Sequence, residues 1–441
     1  MILTNGRIIT QDKENPYIEN GAVVINEEKI VDLGEVGEIL KKYPNKKVMD
    51  IEGKVIMPGI INTHHHIYSA FARGMASKGE APKNFMDILE GLWWRIDKQL
   101  TLEDLKYSAY TTYIDCIKNG VTTVFDHNAS PYAVKNSLFT IANVAKTLGI
   151  RTSLCYEVSD RDGEEILIDG INENVDFIKE YNNNSQNMIK GMFGLHAAFT
   201  LSDRSLAMCR EKMKGLNAGY HVHVAEGKAD LEDSLAKYGK RVVERLNEFD
   251  ILGDKTLAVH CIHIDENELN ILKETNTNVI HNPESNMGNA VGCQPFLKLI
   301  AKGITTGLGT DGYTSDMFES MKVANIIHKH ENQNPSVAWG EVPIAMFENN
   351  RKIAEKYFQG ELGILKVGAL ADVIVVDYDP LTPLTKENIN SHIFFGMMGR
   401  SVVTTIIDGK VVMLDRKLVG IDEKEIFEES RKVAQNLWDR M

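Results

Sequence analysis

The chain has 441 residues, of which 43% are hydrophobic and 25% are charged, ordinary values for a globular protein with one large domain and a smaller companion. Its formal net charge of −13 argues against nucleic acid or an anionic membrane surface as the main partner. Five scattered cysteines without a Cys-x-x-Cys pair indicate a reducing compartment. No signal peptide or membrane-spanning run is apparent, so we expect a cytoplasmic protein.

The two ends of the chain share a β-rich pattern. From residue 2 to about residue 55, short apolar runs alternate with turns, which predicts hairpins. Near the other end, the run 371–377 is followed by a hairpin signal around Asp408-Gly409. Neither set is large enough to fold alone. We therefore predict one small β-sandwich domain built from residues 1–55 and 362–441.

The middle of the chain, residues 56–361, alternates short apolar runs with longer helical patterns. One helix start is marked by Thr101 and Asp104, spaced as in a capping box. Eight parallel strands with crossover helices close most simply into a (β/α)8 barrel of the TIM type, an α/β fold whose active site lies at the C-terminal strand ends. A doubly wound open sheet is the alternative, although no Gly-x-Gly-x-x-Gly follows an early strand. The predicted strands lie near residues 55–63, 121–126, 151–157, 191–196, 218–225, 256–260, 278–281 and 304–309.

Histidines mark the ends of several of these strands. His64 and His66 leave the first strand on one face, because side chains alternate along a strand. The same end position in later strands is held by His196, His223, His260 and Asp311. In a barrel these side chains converge, and imidazoles with a carboxylate suit a borderline cation such as Zn²⁺ with a position left for water.

At this point the sequence resembles the amidohydrolase superfamily, specifically its aminohydrolase branch of purine, cytosine and triazine deaminases. The stretch 155–163 is most similar to the aminohydrolases called SsnA, which are found with purine-catabolic enzymes. The resemblance runs nearly end to end and rests on Pro58-Gly59-x-x-Asn62-Thr63-His64-x-His66, Gly120-Val121-Thr122-Thr123, His223-x-x-Glu226, Ala258-Val259-His260-Cys261, His281-Asn282-Pro283-x-Ser285-Asn286, Gly309-Thr310-Asp311-Gly312 and Gly368-Ala369-Leu370-Ala371-Asp372.

The resemblance implies roles for individual residues. One divalent ion, Zn²⁺ in preference to Fe²⁺, is expected to be bound by four ligands, His64, His66, His223 and Asp311. A hydroxide formed on the metal would attack the substrate at neutral pH. Asp311 would also accept the proton of the water, His260 would orient the water, and Glu226 would act as general acid and base.

The expected reaction is hydrolytic deamination of a ring amidine or guanidine, such as a purine base or an oxidised purine, with release of ammonia. His196, Asp97 and Asn286 are expected to contact the substrate. Asp97 lies where adenosine-type members carry a substrate-binding Glu, and its shorter side chain argues against a nucleoside. The alternatives are triazine dechlorination or cyclic amide hydrolysis at the same metal site, and a scaffold without activity.

Two further expectations concern the surroundings of the site. The loop 71–96, which contains Trp93 and Trp94, either folds over the substrate or packs against the fold or another subunit. We expect a small heterocyclic molecule as the ligand, and a homodimer or higher homo-oligomer as the assembly.

Overall fold

The structure is a computed structural model that describes residues 1–76 and 80–441. Residues 77–79, which belong to the loop 71–96 named in the sequence analysis, lie outside the described part. The described strands are β1 (Ile2–Ile9), β2 (Tyr17–Asn26), β3 (Lys29–Glu35), β4 (Val48–Asp50), β5 (Val55–Pro58), β6 (Ile60–His65), β7 (Val121–Asp126), β8 (Arg151–Leu154), β9 (Ile189–Gly191), β10 (Phe193–Ala197), β11 (Tyr220–Val224), β12 (Leu257–His260), β13 (Asn278–His281), β14 (Thr306–Leu308), β15 (Val373–Val376), β16 (Val402–Ile407), β17 (Lys410–Leu414) and β18 (Lys417–Leu418).

The helices fill the connections between these strands. The α-helices are α1 (Val36–Lys42), α2 (Phe85–Ile88), α3 (Trp94–Asp97), α4 (Leu102–Lys118), α5 (Ser137–Leu148), α6 (Glu164–Asn182), α7 (Asp203–Met213), α8 (Lys228–Tyr238), α9 (Val242–Glu248), α10 (Glu266–Glu274), α11 (Pro283–Gly288), α12 (Phe296–Ala301), α13 (Met317–Glu331), α14 (Glu341–Pro343), α15 (Asn350–Glu355), α16 (Ile389–Gly396) and α17 (Glu423–Arg440). Short 3₁₀ turns occur at Ile67–Ala72, Ala198–Thr200 and Gly399–Ser401, and π-helical turns at Leu89–Trp93 and Ile344–Asn349.

The middle of the chain forms two parallel sheets. One has the order β6-β7-β8-β9 and the other β10-β11-β12-β13-β14, and every pairing within them is parallel. All residues of these strands are buried, as expected for sheets covered by crossover helices. The α/β fold with parallel strands is therefore confirmed.

The fourth predicted strand is two strands in the structure. β9 pairs with β8 and β10 pairs with β11, so the chain changes partner at Met192. The two sheets contact each other through backbone hydrogen bonds on both sides. Val158 N donates to Gly194 O at 3.2 Å, and Thr310 N donates to His64 O at 3.1 Å.

The strands from both chain ends share one nine-stranded sheet with the path β18-β17-β16-β15-β5-β1-β2-β3, and β4 pairs with β1. The two ends join where β15 runs antiparallel to β5. Their interpretation as a sandwich domain with boundaries near residues 55 and 362 stays a prediction. Helix α1, for which the sequence analysis named no signal, packs Ile39 into the apolar side of this sheet.

Two smaller predictions also have an outcome. The start of α4 is capped as expected, with Thr101 and Asp104 forming a capping box. Among the residues described here, no helix has the length and apolar character that crossing a membrane requires.

Candidate metal centre

The predicted ligands meet at the C-terminal ends of the parallel strands. His64 lies near the end of β6 and His66 directly after it, whereas His223 lies on β11. His66 Nε2 is 3.2 Å from His223 Nε2 and 3.3 Å from Asp311 Oδ1, and His64 Nε2 is 3.8 Å from the same oxygen. Residues separated by up to 247 positions in the chain thus surround one point.

In His66 and His223, the hydrogen-bond partner of Nδ1 determines whether Nε2 carries a proton. His66 Nδ1 faces His127 O at 2.6 Å and His223 Nδ1 faces His196 O at 3.0 Å. A carbonyl only accepts, so both Nδ1 atoms carry the proton and both Nε2 atoms present lone pairs. Two lone pairs 3.2 Å apart cannot hydrogen bond to each other. A cation between them satisfies both.

Two other buried nitrogens lack partners. His64 Nε2 and His260 Nε2 have no hydrogen-bond partner, although unpaired buried polar atoms are costly. Burial also lowers the pKa of the His64, His66 and His223 imidazoles, which keeps them in the neutral form that binds metals. The donor set of three imidazoles and one carboxylate therefore fits a divalent transition-metal ion.

A layer of contacts behind the ligands holds their orientation. His64 Nδ1 is 2.8 Å from His221 Nε2, and Ser285 Oγ donates to Asp311 Oδ2 at 2.8 Å. Asp126, the last residue of β7, accepts from Ile67 N at 2.7 Å. Such contacts fix ring orientation and tautomer in metal sites.

The three expected catalytic side chains lie together. His260 Nε2 is 3.4 Å from Glu226 Oε2 and 3.6 Å from Asp311 Oδ2. Burial, followed by the charge of Asp311, raises the pKa of Glu226, which favours a carboxyl group able to donate a proton near neutral pH.

The backbone is strained at this point. His260 and Asp311 adopt φ values of 72° and 56°, in the left-handed region that non-glycine residues rarely occupy. Strain of this kind is concentrated at functional sites.

The centre opens into a cavity with a volume of about 80 Å³. The wall combines polar side chains near the centre with an apolar side formed by the loop 71–96. The loop contributes Phe85, Met86, Leu89, Trp93 and Trp94 to this wall. These loop residues therefore line the cavity, while their covering of a substrate stays a prediction.

Away from the centre, the cavity wall includes Asp97 and Glu157. Arg161 donates to Asp97 Oδ2 at 3.3 Å and to Glu157 Oε1 at 3.0 Å, and His127 Nδ1 lies 3.1 Å from Glu157 Oε2. Burial raises the pKa of Asp97 to about 8. Burial acts in the same direction on Glu157, but His196, His127 and Arg161 outweigh it and lower its pKa. Near neutral pH, Glu157 is therefore the charged member of the pair.

The predicted substrate contacts have different outcomes. His196 lines the cavity and its Nδ1 bonds to Thr200 Oγ1 at 2.7 Å. Asn286 is buried and does not line the cavity; its Oδ1 lies 2.8 Å from His260 Nδ1. It is therefore in position to orient His260, because α11 turns its side chain inward, while Ser285 and Asn289 of the same segment reach the wall.

The sequence analysis assigned no role to His127, Glu157 or Arg161. His127 follows predicted strand two and Glu157 ends predicted strand three, so the strand-end pattern that indicated the candidate ligands was the available signal. Their pairing could not be derived from spacing, because it joins side chains of different strands.

An α/β fold with parallel strands and a histidine–aspartate cluster at the strand ends defines a metal-binding site of hydrolase type. The model of the amidohydrolase family matches residues 55–412. The chain therefore belongs to the amidohydrolase family and is a hydrolase acting on carbon–nitrogen bonds other than peptide bonds.

Two relatives are similar over nearly the whole chain. A 5′-deoxyadenosine deaminase of Methanosarcina mazei is 33% identical over 450 residues, covering 100% of this chain and 99% of the relative. A 5-methylthioadenosine/S-adenosylhomocysteine deaminase of Thermococcus sibiricus is 33% identical over 425 residues, covering 94% of each chain.

Solved structures at lower identity show the fold. An adenosine deaminase from Xanthomonas campestris with bound zinc has a TM-score of 0.86 at 20% identity, covering 99% of this chain and 98% of that one. Atrazine chlorohydrolase from Arthrobacter aurescens, complexed with zinc, has a TM-score of 0.83 at 17% identity, covering 98% and 99%.

Proposed function

We propose that this protein is a metal-dependent hydrolytic deaminase that replaces the exocyclic amino group of a purine nucleoside by a carbonyl and releases ammonia. The observation that carries the proposal is the pair of facing Nε2 lone pairs of His66 and His223 beside Asp311. The deaminase names of both 33% identical relatives support the reaction. They also favour a nucleoside over the free purine base that the sequence analysis expected.

The proposed ligands of the metal are His64, His66, His223 and Asp311, and zinc is the proposed ion because three imidazoles and one carboxylate suit it. The zinc named with the adenosine deaminase structure supports the same choice. When bound, such an ion lowers the pKa of water to about 7 and polarises the substrate.

The protein side chains supply the proton transfers. Asp311 accepts a proton from the attacking water. His260, 3.6 Å from Asp311 Oδ2 and held by Asn286, orients that water. Glu226, protonated because its pKa is raised, donates its proton to the ring nitrogen of the substrate. Asp311 passes the proton that it took from the water to the leaving amine, and Glu226 regains a proton from the hydroxyl group that becomes the product carbonyl.

The fold around this site belongs to the same proposal. We propose that the two parallel sheets close into one (β/α)8 barrel. The backbone hydrogen bonds between Thr310 and His64 and between Val158 and Gly194 support closure on both sides. Asn350 also supports it, because its amide bonds to Ile61 O and Leu308 O at 2.8 Å each.

The experiment is ammonia release by the zinc-loaded protein from adenosine, 5′-deoxyadenosine, 5-methylthioadenosine, adenine, guanine, 8-oxoguanine and cytosine. We expect the nucleosides to be turned over in preference to the free bases. Preference for a base would support the purine-base substrate that the sequence analysis expected. Chloride release from a chlorotriazine, without ammonia release from any compound, would favour triazine dechlorination. Resemblance to the SsnA proteins, a cytoplasmic location and a homo-oligomer stay predictions.

A further inference from the structure

Arg161 is a basic side chain that contacts both Asp97 and Glu157 of the cavity wall. Its three nitrogens donate to Ser159 Oγ at 3.1 Å, Asp97 Oδ2 at 3.3 Å and Glu157 Oε1 at 3.0 Å. Its guanidinium carbon lies 5.0 Å from the centre of the Trp94 ring. Three of the five N–H donors of Arg161 are therefore used within the protein, and its positive charge is already paired with carboxyl groups of the wall.

Among the residues that the structure describes, the cavity wall carries acidic side chains and imidazoles but neither Lys nor Arg. Arg161 is not a lining residue, although it contacts Trp94, which does line the cavity. The acidic lining residues are Asp97, Glu157, Glu226, Asp230 and Asp311.

Unpaired polar atoms indicate what this wall can bind. Asp97 is 2% exposed, and its Oδ1 has no hydrogen-bond partner. The indole nitrogen of Trp94 is also buried without a partner. A carboxyl oxygen and a neutral N–H suit hydroxyl or amino groups of a ligand, whereas neither compensates a negative charge that has left water.

We propose that this end of the cavity makes the enzyme selective for neutral or cationic nucleosides and excludes substrates with a phosphate or carboxylate group. The inference rests on the proposed function and narrows its substrate class. Glu157 and Arg161 are the specificity-determining residues. Glu157 pairs with the positive charge of Arg161, which an anionic substrate would need as its own partner. The two relatives are named for substrates that differ in charged groups. S-adenosylhomocysteine, in the name of one relative, carries a carboxylate, whereas 5′-deoxyadenosine, in the name of the other, has no charge.

The test compares adenosine derivatives that differ in charge at the 5′ position. Adenosine 5′-monophosphate is compared with its neutral analogue of similar size, 5′-O-sulfamoyladenosine, and with cationic 5′-amino-5′-deoxyadenosine. For the zinc-loaded wild-type protein we expect kcat/KM for the monophosphate to be at least about 100-fold below that of the neutral analogue, because burying an uncompensated charge is costly. A ratio within about threefold would overturn the proposal.

A binding measurement separates this inference from the proposed function. If none of the compounds releases ammonia, the proposed function fails, and selectivity is then measured by the rise in unfolding temperature that each compound causes. A rise with the neutral and cationic compounds and none with the monophosphate supports the inference. Equal rises, or no rise with any compound, overturn it.

A charge-neutral variant tests the assigned residues. In Glu157→Gln, Arg161 loses a charged partner, and we expect the monophosphate to gain about tenfold relative to the neutral analogue. The matched control is Glu164→Gln, which removes the partner of Arg204 on the surface and should leave the ratio unchanged. An unchanged ratio in Glu157→Gln contradicts the role of that residue, while the wild-type comparison decides the selectivity without any variant.

Discussion

At the scale of single residues, the partner of one ring nitrogen determines the chemistry of the other. The carbonyls of His127 and His196 hold the protons of His66 and His223 on Nδ1. The Nε2 atoms are then available only as acceptors or ligands. A metal site can thus be recognised from hydrogen-bond donors and acceptors in the protein.

Glu226 gives the first residue-scale prediction. Glu226→Gln should lower kcat by about 100- to 10,000-fold, because the amide cannot transfer the proton that the carboxyl group transfers. Zinc content should stay near one per chain, since Glu226 is not among the proposed ligands. Ammonia release and metal analysis of the same sample measure both quantities.

A ligand variant serves as the contrast. His66→Ala should lose zinc as well as activity, because it removes one of the two facing Nε2 atoms. Full zinc occupancy in His66→Ala would argue against its role as a ligand. Wild-type turnover in Glu226→Gln would remove that residue from the mechanism.

The convergence of the four proposed ligands could be predicted from the sequence, but several of the surrounding contacts could not. His64, His66, His223 and Asp311 follow apolar runs, and parallel strand ends meet at one edge. The role of Asn286 depends on which way a six-residue helix, α11, turns its side chains. The contact of Arg161 with Asp97 joins residues 64 positions apart, and no periodicity in the sequence encodes it.

At the scale of elements, α11 carries a carboxyl group that folding leaves poorly paired. Glu284 Oε2 accepts from Ser320 Oγ at 2.7 Å, but its Oε1 has no partner. Burial raises the pKa of Glu284 from 4.5 to about 7. The folded state therefore binds this proton more tightly than the unfolded state. The free energy of unfolding should then fall as pH rises from about 4.5 to 7.

Replacing the carboxyl group of Glu284 should remove this fall in the free energy of unfolding with rising pH. Glu284→Gln cannot ionise, so at pH 8 it should be more stable than the wild type by up to about 3 kcal/mol. Near pH 4.5 the two proteins should differ little. Urea unfolding at both pH values measures the difference, with exposed Glu331→Gln as the control. Equal gains at both pH values would show that the effect does not come from ionisation.

The strands were predictable to different degrees. Six of the eight apolar runs correspond to one strand each, and the first run, 55–63, became β5 and β6 in different sheets. The run near residue 191 became β9 and β10 because Gly191 and Phe193 hydrogen bond in different sheets. Local sequence does not determine which neighbour a strand pairs with, so this division could not be predicted.

At the scale of the whole molecule, one buried ion pair joins the parallel strands to the terminal sheet. Arg151 begins β8 and is fully buried. Its Nη2 lies 3.1 Å from Asp372 Oδ1, just before β15, and 3.5 Å from Asp408 Oδ1 in the turn between β16 and β17. Residues more than 220 positions apart thus meet between the two parts of the fold.

This pair leads to a prediction about stability. Arg151→Met should lower the free energy of unfolding by about 3–5 kcal/mol, because Asp372 would remain buried without its partner charge. The double variant Arg151→Met/Asp372→Asn should recover part of the loss, since no unpaired charge is then left behind. Arg204→Met, which removes an exposed pair with Glu164, should change stability by less than about 1 kcal/mol. Urea unfolding of the four zinc-loaded proteins distinguishes these outcomes. A loss in Arg151→Met no larger than that in Arg204→Met would show that other contacts hold the terminal sheet to the parallel strands.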